Sequence, residues 1–162
     1  MSPFGGRRPA PPDSLHIRKL LLASEGRPIP DAAIERAAEL ARAQGAEVYV
    51  FSLARIWGTS LGLPMPGLLP SKQEWDEQNA LVTRAVKELR NRGVKAHGRV
   101  VGTRKGAKRI VGEAARLECD AIVMAADAPK NRIVADFMWS QEPYRVVRRA
   151  RVPVYLVEEG GK

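Results

Sequence analysis

Cysteine is almost absent from this sequence of 162 residues: Cys119 stands alone. A single thiol excludes a disulfide within the chain and any cysteine-rich zinc site. Histidine occurs twice, at His16 and His97. Neither has further ligand-type side chains at metal spacing, so no metal is expected. No apolar run approaches the ~20 residues of a membrane-spanning helix. The two common nucleotide signatures are missing as well. There is no G-x-G-x-x-G after the first apolar run and no GxxxxGK[ST] anywhere. No Ser–His–Asp set can be placed, and no carboxylate pair has an evident common pocket. The chain is therefore not expected to be an enzyme, with weak ATP hydrolysis left open.

What is present is globular in character. The apolar fraction is 44% and the charged fraction 28%, which is not the composition of a disordered chain. The length suits one domain, which buries roughly 70% of its unfolded surface and needs no metal or disulfide to hold it. Residues 1–14 read as a flexible Gly/Pro-rich tail. Arg7-Arg8 is followed by Pro9-Ala10-Pro11-Pro12-Asp13, where an export signal needs an apolar stretch of about 7–15 residues. The expected location is cytoplasmic. The expected domain covers residues 15–158, with 159–162 as a second tail. The net charge is +9, and its denser groups are Arg104, Lys105, Lys108 and Arg109, then Arg145, Arg148, Arg149 and Arg151. Such a balance suits either a solvated basic surface or an anionic partner.

Apolar runs alternate with helical patterns. Leu20-Leu21-Leu22-Ala23 is the first strand. Asp31 is the expected N-cap of a helix whose face carries Ile34, Ala37, Ala38 and Ala41 and which Gly45 stops. Val48-Tyr49-Val50-Phe51 is the second strand. A long connection, Ile56 to Pro70, reads as a flap over the core or a lid over a ligand or partner. Ser71-Lys72-Gln73-Glu74 is a capping box with reciprocal bonds. It opens a helix with Trp75, Val82, Val86 and Leu89 on its inner stripe, ended by Gly93. The strand at 96–101 carries His97 and Arg99 and suits a sheet edge. A helix over about 106–117 and the uniformly apolar strand Ala121–Ala125 follow. Ser140 is the expected N-cap of the last helix, which puts Pro143 in its first turn. Val152-Pro153-Val154-Tyr155-Leu156-Val157 closes the domain. This alternation means an α/β fold with a parallel sheet covered on both faces.

Sheets of that kind bind ligands beyond the carboxyl ends of the strands, where strand order reverses. Attention therefore falls on the loops that leave the strands. Asp127 reads as a turn residue beside Pro129, and Cys119 as a small buried thiol. The role of the run Trp139–Arg145 stays open.

Three segments, in order, resemble the universal stress protein family. They are Leu20 to Ala41, Cys119-Asp120-Ala121-Ile122-Val123-Met124, and Val146 to Val154. The resemblance implies a Rossmann-like sheet of five parallel strands in the order 3-2-1-4-5. It also implies a homodimer, for which the apolar last strand (Val152, Val154, Tyr155, Leu156 and Val157) is the expected edge. ATP-binding members carry G-x2-G-x9-G-[S/T] after the fourth strand. Here Ala125 and Ala128 replace the first two glycines, and Trp139-Ser140 or Ser140-Gln141 match the last pair poorly. Glu25 replaces the usual Asp after the first strand, and Leu53 takes the adenine-contacting position. The candidate ligand-binding residues implied are Ala23, Ser24, Glu25, Leu53, Met124, Ala125, Ala128, Ser140 and Gln141. Arg104, Lys105, Lys130 and Arg132 could attract an anion around the same crevice.

The expectation is thus a stress-response or signalling module with a degenerate nucleotide site and no cofactor, ATP/Mg remaining an alternative. A switch driven by a nucleotide or another small anion and a basic nucleic-acid binder are the other two readings.

Overall fold

A computed structural model describes residues 16–55, 59–60, 63–64, 70–127 and 141–159. The elements run β1 (Lys19–Ser24), α1 (Asp31–Gln44), β2 (Glu47–Arg55), β3 (Thr59–Ser60), β4 (Leu63–Pro64), α2 (Lys72–Asn91), β5 (Ala96–Thr103), α3 (Gly106–Arg116), β6 (Ala121–Asp127), α4 (Glu142–Arg149) and β7 (Val154–Glu159). Five strands form one parallel sheet in the order β5-β2-β1-β6-β7. Set in chain order without the small β3–β4 hairpin, this is 3-2-1-4-5, as the resemblance implies. Between β1 and β6 the connections leave in opposite directions, which makes that gap the switch point.

The sheet is buried because both faces are covered. Leu20 and Leu22 point to one face with Val48, Val50 and Val123, under α1 and α2. Leu21 and Ala23 point to the other with Phe51, Leu53, Ile122 and Met124, under α3 and α4. Burying each large apolar side chain contributes about 1.5–3 kcal/mol, so the alternating strand β1 stabilises both layers at once. At the sheet edge, β5 lets α2 come close. A Cβ on Gly98 would strike the Val82 side chain and stand 3.1 Å from Val86. Cys119, just before β6, is buried, and burial pushes its thiol up to about 12. It is an inert packing group at neutral pH.

Several local expectations change. Gly45 does stop α1, at φ 66°. Asp31, however, is the first helical residue and not the N-cap. Pro30 holds that place without a side-chain bond, and Asp31 pairs with Arg84 instead. Ser71 Oγ accepts from Glu74 N at 3.1 Å, but Glu74 does not reach back; its carboxylate accepts from Arg55 N at 3.4 Å. Trp75 is only half-buried, and Gln78 takes the place expected of it on the inner stripe. The N-cap of α4 is Gln141, one residue later than the expected Ser140, and Pro143 sits in the first turn. Asp127 is the last residue of β6, paired with Glu159, and not a turn residue. Ser140, the tail before residue 16 and the 56–70 connection apart from its hairpin and Pro70 lie outside the described residues.

Glu113 on α3 is buried between Arg99 of β5, at 3.1 Å, and Arg116, at 2.6 Å. Burial alone would raise its pKa. The hydrogen bond from Arg116 and the charge of Arg99 outweigh it and hold the carboxyl below its ordinary 4.5. A depressed native pKa adds stability above the unfolded value, and this is lost as pH falls through the native one. Stability should therefore decline on acidification below pH 4.5. In Glu113→Gln that slope should flatten, while neutral-pH stability drops by about 1–3 kcal/mol, both read by urea unfolding across pH.

Candidate functional site at the strand ends

The chain leaves β1 through a tight turn. Ser24 Oγ donates to Arg27 O at 2.5 Å and accepts from Gly26 N at 3.1 Å. Gly26 has φ 126°, a conformation that side chains disfavour, so glycine is required there. This turn sends Glu25 and Arg27 inward, where both are buried. Arg27 Nε donates to Glu25 Oε1. Its Nη1 donates to Asp127 at 3.2 Å and lies 3.6 Å from a Glu159 carboxylate oxygen. One guanidinium therefore ties the end of β1 to the ends of β6 and β7, across the switch point.

A second set of bonds holds the β2 side. Arg55 Nε donates to Glu25 O at 3.0 Å. Gln78 of α2 donates to Gly26 O at 2.9 Å, and its own oxygen accepts from Ser52 Oγ at 2.5 Å. On the other side, Tyr144 of α4 donates to Asp127 O at 2.9 Å. Burial pushes Glu25 above the ordinary carboxylate value, with the charges of Arg27 and Arg55 offsetting it only in part. Arg27 is held above its ordinary value: its burial works the other way, but Glu25, Asp127 and Glu159 outweigh it. Among the described residues, Glu25 Oε2 and Arg55 Nη2 are buried polar atoms without a hydrogen-bond partner. Oε2 is therefore the oxygen on which Glu25 would take up a proton.

The expected ligand residues fall as follows. Ala23, Ser24, Glu25, Leu53, Met124 and Ala125 do converge at the strand ends, and all are buried. Leu53, Ala23 and Met124 are packed in the core layer under α3 and α4. Gln141 is exposed beside Arg145. Arg104 and Lys105 form the exposed turn into α3. Ala128, Lys130, Arg132 and Ser140 lie outside the described residues. Glu25, Asp127 and Glu159, which have no evident common pocket in the sequence, meet on Arg27. Sequence reasoning missed Arg27, Arg55 and Gln78. Gln78 left a trace, as the polar residue at helical spacing on an apolar stripe. Arg27 left a weaker one, as a base two residues from an acid.

A family model described as the universal stress protein family matches residues 16–158. The chain belongs to this family. Among solved structures, a universal stress protein family protein from Burkholderia pseudomallei is 23% identical, with a TM-score of 0.65 over 90% of this chain and 98% of that one. A universal stress protein from Archaeoglobus fulgidus in complex with dAMP is 20% identical, with a TM-score of 0.62 over 88% and 98%. One from Arabidopsis thaliana with AMP bound is 12% identical, with a TM-score of 0.56 over 89% and 93%. At these identities the likeness establishes the fold. No curated protein matches by sequence.

Breaking a buried ion pair from one side costs about 3–5 kcal/mol, whereas replacing both partners by apolar groups is often nearly neutral. Arg27→Met in this universal stress protein should lose stability of that order in urea unfolding. Glu25→Leu combined with Arg27→Met should lose less than Arg27→Met alone.

Proposed function

We propose that this universal stress protein is a dimeric, cytoplasmic stress-response or signalling module that does not bind ATP in the usual family manner and is not an enzyme. The observation that carries this reading is the Arg27 bridge across the switch point. A crevice that is to take a nucleotide must leave its strand ends accessible. Here the acidic residue after β1 is buried and bound to the chain's own guanidinium. Ala125 adds a Cβ where the family's phosphate loop begins with glycine. The residues present therefore do not fit a nucleotide held in that way.

A second reading is a nucleotide switch. It rests on the dAMP and AMP held by two of the similar structures, and on the unpartnered Glu25 Oε2, which could receive a hydroxyl. Calorimetric titration with Mg-ATP at physiological salt separates the two. No saturable uptake in the crevice is expected. A Kd below about 100 μM there, lost in Glu25→Ala, overturns the first reading. A third reading, a nucleic-acid binder, requires affinity that falls steeply with salt.

The dimer is proposed through β7, one of the two edges of the sheet, where Tyr155, Leu156 and Val157 are half-buried in the single chain. Light scattering should give twice the chain mass of 17.8 kDa. Tyr155→Asp should return it to one chain mass by desolvating a charge at the joint. A monomeric wild type overturns the dimer.

A further inference from the structure

The N-terminus of α3 carries an arrangement that works against helix stability. Its first turn holds no acidic residue, and Lys105, its N-cap, makes no side-chain cap bond. Lys105, Lys108 and Arg109 place positive charge at the positive end of the helix dipole, where cations are unfavourable. The anion that this end requires comes from α4. Glu142 Oε2 accepts from Ala107 N at 2.7 Å, and Arg145 steadies its other oxygen at 2.9 Å. Outside this contact opens a cleft of about 390 Å³, rimmed by Lys105, Lys108, Arg145 and Arg149.

A second observation comes from beneath. Arg55 is 8% exposed, and its Nη2 has no hydrogen-bond partner among the described residues. That nitrogen ends at the first residue of α3, 3.1 Å from where a Cβ on Gly106 would stand. Glu142 Oε2 is 2.8 Å from the same point. A buried guanidinium N–H left unmade is costly, and it is aimed at the spot where Glu142 plays the internal anion. Gly106 keeps this point clear of side-chain atoms.

We propose that this cleft is a site for a small, multiply charged phosphate compound of the pyrophosphate class. One phosphate group displaces the Glu142 carboxylate from Ala107 N and reaches Arg55. The other is held by Lys105, Lys108 and Arg149. Glu142 is the internal competitor, and its release from α3 loosens the first turn of α4, which carries Tyr144 against Asp127. The site lies between the starts of α3 and α4 and shares Arg55 with the strand-end set: Nε holds Glu25 O, while Nη2 turns toward Gly106.

The test is calorimetry with pyrophosphate on the full chain. Saturable binding is expected, weakened about tenfold by Lys108→Ala, an exposed position, and tightened severalfold by Glu142→Gln, which keeps an acceptor for Ala107 N but removes the competing charge. Thermal melts of each variant check that it folds. Absent binding, or binding that both substitutions leave unchanged, overturns the site. So does binding of duplex RNA with none of pyrophosphate, which points to a diffuse basic surface. Mg-ATP uptake lost in Lys108→Ala belongs to this cleft and leaves the closed crevice standing. Uptake kept in Lys108→Ala but lost in Glu25→Ala lies in the crevice and rejects the reading above.

Discussion

A guanidinium taken out of water has to be surrounded by acceptors. Arg27 meets that requirement with carboxylates that follow or end three different strands. The cost of burying it fixes much of the surrounding geometry. The Gly26 turn has to present Glu25 inward. Strands β6 and β7 have to reach far enough to deliver Asp127 and Glu159. The polar atoms exposed by that turn are then taken up by Arg55 and Gln78. The strand ends at the switch point are thus tied to one another by the chain's own side chains.

The net charge of +9 looks different in this light. Arg27 and Arg55 are buried and serve the fold. Arg99 and Arg116 neutralise Glu113, Arg92 is half-buried against Glu88, and Arg84 sits in an exposed pair that contributes little. Among the described residues, Lys105, Lys108 and Arg109 at the start of α3 and Arg148 and Arg149 on α4 form a further basic group.

Much of the fold is legible in the sequence because it rests on local signals. The apolar runs at 20–23, 48–51 and 121–125, the stop at Gly45 and the polar strand at 96–101 each carry their own meaning in a few residues. The candidate site is less legible for a physical reason. Arg27 and Asp127 are 100 residues apart, and no spacing rule connects them. Asp31 and Glu74 had plausible capping roles nearby, yet Arg84 and Arg55 offered partners across the structure. Asp127 beside Pro129 resembled a turn, but pairing with β7 extended the strand over it. In each case a distant partner outweighed a local preference.

Gly26 and its neighbours also set an order of assembly. The turn after β1 leaves the ribosome early, with an acid and a base already adjacent. Their remaining partners arrive with β6 and β7, which contribute Asp127 and Glu159. Until those strands dock, Glu25 and Arg27 are solvated and the crevice has only one wall. The Arg27 bridge is thus complete only when β6 and β7 have both joined the sheet, so an intact bridge marks a fully formed sheet.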